Sequence, residues 1–471
     1  MTLTSVPPSS SDSAPMGVGA VPGPSGGLLA ASRLLRADPL AGLTRLRRTY
    51  GPIVRISSRP VSAFLVADPA AIGDALVGSN RTYAKGAVRH WPGSRRTVVQ
   101  PLSLLLGQGL LTSAGETHRR QRRLMQPLFH RQRIAGYGET FVDIAQETVD
   151  GWRDGQRLDI HAEMTEMTLA IVARTLFDVD LDSNVVDVVR TAIAENMVAA
   201  RRVQLPGFET LERLPLPAAR RRRAARDALD RVIHDLIAHR RTAGADGTDL
   251  LSLLLSARDA DTGAGMDDMQ VRDEALTILL AGHETTANAL SWTFHLLGRH
   301  PEVAAQLHAE LDTVLADRRP SVDDLARLPY TDAVFTESMR LYPPVWMMGR
   351  HLVEDRVVGG YQLPAGSTLL LSQWVVHHDE MWWPEPERFN PDRWIGDHRN
   401  PQRPRYAYFP FGGGPRQCIG NSFAQAEGVL CLATIARRWT FEPTEDVEII
   451  PEPLVTLRPR NGLPMTIRSR A

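Results

Sequence analysis

The chain has 471 residues, of which 43% are hydrophobic and 23% charged, the composition of a water-soluble globular protein. Its 54 basic and 54 acidic residues cancel, which removes the usual charge argument for a nucleic-acid or anionic-membrane partner. The two cysteines, Cys418 and Cys431, exclude a disulfide framework and fit a reducing, cytoplasmic setting.

The opening stretch "MTLTSVPPSSSDSAPMGVGAVPGPSGG" is rich in Ser, Pro and Gly. It lacks the basic start and apolar centre of a signal peptide, and residues 1–21 are read as a disordered lead-in. No run approaches about 20 apolar residues, so no membrane anchor is expected. A short helix after Pro24 leads into "PIVRISSRPVSAFLVADP", whose β-branched residues and central Ser-Ser-Arg-Pro predict a hairpin. Lys85, the one lysine among so many arginines, follows. Residues 115–315 read as amphipathic helices broken by Gly and Pro. Within them Arg220 to Arg223 are read as a solvated helix face, not a nucleic-acid patch.

The longest signal is "DDMQVRDEALTILLAGHETTANALSWTFHLLGRHP". Asp267 predicts an N-cap with Gln270 as its partner, and Pro301 predicts the end. A helix of about 30 residues runs ~45 Å. Its centre is apolar nearly all round, so it should be buried, yet it carries His283, Glu284, Thr285 and Thr286. A zinc-protease reading of His283-Glu284 fails, because the required second histidine position is Ala287. Glu284 and Thr285 can relay protons. Equally, Thr285 can bond back to its own helix while Glu284 is held in an internal ion pair.

Further on, Glu337 and Arg340 of "ESMR" share one helix face, and "PERF" (386–389) carries Arg388. Neither is specific alone. Residues 351–376 and the segment from Val447 read as β. Between them lies "FGGGPRQCIG", residues 411–420. Cys418 just ahead of the helix "IGNSFAQAEGVLCLATIARRW" would receive N–H donors and the positive dipole end, which stabilise a thiolate. The glycines would let the backbone approach a flat ligand, and Arg416 could meet carboxylates on that ligand's edge. These features describe a haem held by a proximal thiolate. Cys431, among apolar neighbours, reads as core. The expected fold is mainly α with small β-sheets, one domain over residues 22–471.

"FGGGPRQCIG" resembles the haem-binding signature of the cytochrome P450 family, Phe-x-x-Gly-x-Arg-x-Cys-x-Gly, and the weaker signals fall into that family's order. The resemblance extends over roughly residues 22 to 465. It implies the single-domain P450 fold, with haem b between the long central helix and the Cys-bearing loop and helix. It implies Cys418 as the iron ligand, and "AGHETT" as the oxygen-activation motif with Glu284 and Thr285 as catalytic residues beside Ala281. His118, Arg122, Arg350 and Arg416 would contact the haem propionates, with Phe411 and Gly412 near the thiolate. Glu337, Arg340 and Arg388 would form a structural triad. His118 stands where the family often has Trp, and Glu284 where many bacterial members have Asp.

By the same resemblance the substrate pocket draws on Trp91, Met197, Ala281, Val345, Trp346 and Met347, an apolar lining. The implied reaction is insertion of one atom of dioxygen into a C–H bond of a small apolar molecule. Ferredoxin and ferredoxin reductase would donate electrons to a monomer. The whole-chain likeness is to actinobacterial members that oxidise cyclic terpenes, with fatty acids or macrolides as competitors. A haem-thiolate sensor or electron carrier is the alternative of another class; it would not need Glu284 and Thr285.

Overall fold

The computed structural model describes residues 17, 21–25, 38–57, 62–78, 82–85, 102–180, 183–200, 214, 216–243, 249–258, 263–396, 400–444 and 447–470. The lead-in expected over residues 1–21 lies outside these apart from Gly17 and Val21. Val21 is 1% exposed in a hydrophobic core, and the Pro22 carbonyl accepts from the Arg55 N–H, so packed chain begins at least one residue before the expected boundary.

Helix α1 (Pro39–Tyr50) starts on Asp38, whose carboxylate accepts from the N–H groups of Leu40 and Ala41. The expected hairpin follows as β1 (Ile53–Ser57) and β2 (Ala63–Val66), paired antiparallel. After α2 (Pro69–Val77) comes the short strand β3 (Tyr83–Ala84). A helical run then supplies α3 (Gly115–Met125), α4 (Arg131–Asp150), strand β4 (Arg157–Asp159), α5 (Ile160–Val172), α6 (Ser183–Ala200) and α7 (Pro217–Ala243). On α7 the expected solvated arginine face is only partial: Arg220 and Arg221 are exposed, but Arg222 is buried.

The central helix α8 spans Asp268–Arg299, 32 residues. Asp267 caps it by accepting from the Gln270 N–H, and it stops at His300 because Pro301, which opens α9 (Pro301–Leu315), cannot continue it. It packs between α5, α10 (Pro329–Leu341) and the later α11 (Asn421–Ala436). Between α10 and α11 lie β5 (Met348–Leu352), β6 (Arg356–Val358), β7 (Tyr361–Leu363) and β8 (Thr368–Leu371). After α11 come β9 (Trp439–Pro443), β10 (Pro451–Pro453), β11 (Leu457–Pro459) and β12 (Pro464–Ser469). The largest sheet runs β1-β2-β8-β5-β3, and a second runs β4-β12-β9.

Two hydrophobic cores result. One is helical, built around α8 and α11; the other lies on the large sheet. Tyr342 packs against both and stacks on Trp292 at 4.1 Å between ring centroids.

Glu337 and Arg340 are not surface decoration. Both are 0% exposed and form a two-bond pair, Nε to Oε2 at 2.9 Å and Nη2 to Oε1 at 2.8 Å. Burying that charge is tolerable because every face is answered. Arg340 also donates to the carbonyls of His377 and Pro386, each at 2.8 Å. Glu337 also accepts from Trp394 Nε1 at 2.8 Å and the Asn390 N–H at 3.2 Å. The third arginine of the expected triad is corrected. Arg393, not Arg388, pairs with Glu337, Nε to Oε1 at 3.2 Å. The Arg388 side chain is 62% exposed on Glu385, and only its carbonyl enters the network, accepting from Arg340. "PDRW" repeats the Pro-x-Arg-aromatic pattern of "PERF" five residues on, and the 3-10 turn at Pro391–Trp394 aims the second arginine inward.

Candidate functional site

The loop before α11 is shaped by its glycines, for a reason other than ligand approach. Gly412 and Gly414 hold φ of 69° and 64°, which side chains rarely adopt. A Cβ on Gly414 would stand 2.1 Å from the Leu76 carbonyl oxygen, and one on Gly413 would stand 2.6 Å from the Tyr406 ring. The run therefore lets the loop press onto α2 and its neighbour. The folded loop is locked by the Cys418 N–H donating to the Phe411 carbonyl at 3.0 Å and the Gly412 N–H to Phe409 at 2.9 Å. Phe411 is half-buried against the helical core.

Cys418 is solvent-accessible, yet protein surrounds it deeply enough for burial to push its thiol up. The Gly420 N–H, Arg122 and Lys85 act the other way, favouring thiolate. On α8 the same pattern recurs. Ala281 is exposed and Thr285 half-exposed in the middle of an otherwise buried helix.

Around Cys418 the described residues gather basic side chains. Arg416 and Arg350 face Lys85; Arg416, Arg122 and Lys85 face His118. Burial and these neighbours push Lys85 down to about 7 and His118 down to about 3. Arg350 is 4% exposed, and burial lowers it to about 10. Arg416 donates to the Ser113 carbonyl at 2.8 Å, while its buried Nε and Nη1 have no partner. Arg122 donates to the Gln417 carbonyl at 2.7 Å. Five basic groups held together out of water, one with orphaned donors, fit a ligand that brings carboxylates. That is the donor set haem requires: a thiolate on one side and cations for its two propionates. Lys85 was not singled out from sequence as a site residue. Tyr83 pairs with Leu352 and Ala84 with His351, a register that places Lys85 opposite Arg350.

Thr285 takes the back-bonded arrangement that the sequence left open, while Glu284 is held by a hydrogen bond from a hydroxyl and, among the described residues, not by an ion pair. Thr285 donates to the Ala281 carbonyl at 2.8 Å, so its oxygen remains free to accept. Glu284 is 8% exposed and accepts from Thr456 Oγ1 at 2.6 Å. Burial raises its pKa, against the pull of Thr456 and Arg458. Those two residues come from the β10–β11 hairpin, and no local motif announces them.

The expected pocket residues divide. Val345 and Met347 are half-buried. Trp346, between them, is withdrawn from that lining: it is 8% exposed in the sheet-side core, and its Nε1 donates to the Leu454 carbonyl at 2.9 Å. Trp91 lies outside the described residues, and of Met197 only its place on α6 is described.

A buried central helix carrying an acid–alcohol pair, and a cysteine loop with basic side chains about it, are the parts of a haem-thiolate enzyme. The chain belongs to the cytochrome P450 family, whose family model matches residues 22–465, and it is a monooxygenase of that family. It is 39% identical to cyclooctat-9-en-7-ol 5-monooxygenase of Streptomyces melanosporofaciens, over 91% of this chain and 90% of the relative. It is 38% identical to cyclooctatin synthase of the same organism, over 92% of each. Pentalenene oxygenase of Streptomyces avermitilis is 35% identical over 89% of this chain and 91% of its own length. The crystal structure of the cytochrome P450DA heme domain superposes with a TM-score of 0.84 at 27% identity, over 96% of this chain and 98% of that one. Among the described residues, no helix is long and apolar enough to cross a membrane.

Proposed function

We propose that this P450 oxidises a cyclic terpenoid at an unactivated C–H bond. The observation that carries the substrate class is the near full-length similarity to three Streptomyces oxygenases of such molecules. The half-buried Val345 and Met347 and the exposed Ala281 agree with an apolar ligand bound by shape. Haem, when bound, activates dioxygen so that one atom enters the substrate and the other leaves as water, at the cost of two electrons and two protons.

The protein's own residues perform the rest. Cys418 would hold the iron, its thiolate favoured by the Gly420 N–H, Arg122 and Lys85. Lys85, His118, Arg122, Arg350 and Arg416 would pair with the propionates, and Phe411 and Gly412 shape the thiolate side. Thr285, whose hydroxyl donates to the Ala281 carbonyl, would offer its oxygen to a water on the exposed side of α8. Glu284, kept protonated more readily than an exposed carboxyl, is the adjacent proton store. Glu337, Arg340 and Arg393 hold the chain segment leading to the cysteine loop. Electrons would reach the cytoplasmic monomer from a ferredoxin and its reductase.

The test is a substrate-binding difference spectrum of the haem-loaded protein. Its panel holds a cyclic diterpene alcohol, a sesquiterpene hydrocarbon, a fatty acid with its methyl ester, and a macrolide. Response to the terpenes supports the reading; tight, ester-sensitive binding of the acid with no terpene response overturns it.

A further inference from the structure

Glu427 is a buried acid that no step above uses. It lies on α11, the helix that follows Cys418, and is 0% exposed. Neither carboxyl oxygen has a partner of regular hydrogen-bond geometry, and no basic side chain pairs with it among the described residues. The polar group it meets is the hydroxyl of Thr286, across the α8–α11 contact. Cys431, one turn along its own helix, is the titratable group beside it. Burial drives the Glu427 carboxyl well above its usual range, against the pull of Thr286, so it is a neutral acid able to donate.

Thr286 sits at the point where α8 is least self-sufficient. Three successive carbonyls there each accept a side-chain hydroxyl. Ala281 accepts from Thr285 at 2.8 Å, Gly282 from Thr286 at 3.3 Å, and His283 from Thr168 of α5 at 3.0 Å. Such bonds compete with the helix ladder and loosen it. On the α5 side the segment is clamped, since Gly282 packs so closely that a Cβ would meet Val172 at 2.9 Å. On the α11 side the group facing Thr286 is the Glu427 carboxyl, and Thr286 itself donates to the Gly282 carbonyl.

We propose that Glu427 is a positioning residue for the reaction. Through Thr286 it ties the segment of α8 that carries Thr285 to the helix leaving Cys418, and so fixes the alcohol relative to the thiolate. The inference rests on the roles assigned above to Thr285 and Cys418, not on the substrate class.

The experiment needs no organic substrate. The C–O stretch of the reduced, carbon-monoxide-bound holoenzyme is recorded by infrared spectroscopy, since it senses polar groups beside the bound gas. Glu427→Leu and Thr286→Val are expected to shift or broaden the band as Thr285→Ala does, and the double variant to shift it no further than either single one. Glu427→Gln, which keeps a donor of the same shape, is expected to hold the wild-type position. Wild type should also show a protonated-carboxyl band near neutral pH that Glu427→Gln loses. If Glu427→Leu fails to load haem, Thr286→Val and the carboxyl band decide. A wild-type C–O band in haem-loaded Glu427→Leu or in Thr286→Val overturns the proposal, as does a carboxyl band unchanged in Glu427→Gln. A wild-type band in Thr285→Ala overturns the Thr285 assignment and this inference with it.

Discussion

Two thiols in one chain are held in opposite surroundings. Cys431 is 0% exposed within α11, its thiol driven well up by burial, and it has no cation to favour a thiolate. Cys418 is solvent-accessible, and Arg122, Lys85 and the Gly420 N–H oppose the effect of burial on its thiol. A metal ligand must be a thiolate, and metal binding completes the deprotonation. Cys418→Ala should therefore lose the thiolate-type Soret band of the reduced carbon monoxide complex, while Cys431→Ala retains it; the reverse result would exchange the two roles. Thr285 differs from Thr286 in the same local sense: its oxygen faces open space, whereas Thr286 is 2% exposed beneath α11. Thr285→Ala should still consume reductant but release it as peroxide and water, with product falling by roughly 10²-fold or more. Peroxide and product assayed together measure this, and unchanged coupling would remove Thr285 from the proton path.

Between elements, charge pairs stabilise only where they are buried and complete. Removing Arg393 would leave Glu337 half-paired at 0% exposure, a loss of about 3–5 kcal/mol. Arg388 lies on the surface with Glu385, and its truncation should change stability by less than about 0.5 kcal/mol. Chemical denaturation of Arg393→Ala and Arg388→Ala compares them, and equal losses would restore Arg388 to the triad. A second pair gives a pH dependence. Asp324, 2% exposed, closes the capping box of the turn Val322–Arg327 by accepting from the Ser321 N–H, and it accepts two bonds from Arg318, at 2.5 and 2.6 Å. The Arg318 bond, first among its causes, outweighs burial and lowers its pKa from 3.8 to about 2. A carboxyl lowered on folding stabilises fully above its unfolded pKa, so about 2 kcal/mol is present above pH ~4 and lost as pH falls toward 2. Asp324→Asn should flatten acid unfolding in that window; an unaltered acid limb would remove Asp324 from the account. The Asp267 cap, the hairpin and the long helix were legible in sequence because each rests on neighbours in the chain: Asp267 with the Gln270 N–H, or Ile53 with Val66. Glu284 with Thr456 is 172 residues apart, and Lys85 reaches Arg350 only through strand register. Arg393 was hidden by a repeated pattern whose two arginines are told apart only by the turn between them.

At the scale of the whole molecule, the cation ring lies on a seam. Lys85 and Arg350 belong to the large sheet and its core, His118 and Arg122 to α3 on the helical side, and Arg416 to the loop joining that side through α11. Burial first, and then the charge of their neighbours, depresses Lys85 and His118, and without a ligand the charged members repel one another. A haem with two carboxylates would set new attractions against that repulsion, so binding it should also tie the two cores together. Haem-free protein is expected to unfold at lower temperature than holoenzyme, and added salt should raise its midpoint more than that of the holoenzyme, because salt screens the repulsion. Reconstitution separates charge from shape. Haem dimethyl ester keeps the iron, the ring and the Cys418 bond but carries no propionate charge. It should bind more weakly than haem, and the gap should narrow in Lys85→Met and Arg416→Met, which have less charge to satisfy. Equal affinity for haem and its ester would mean that the ring of cations is not there for the propionates, and the assignment of Lys85, His118, Arg122, Arg350 and Arg416 would fall together.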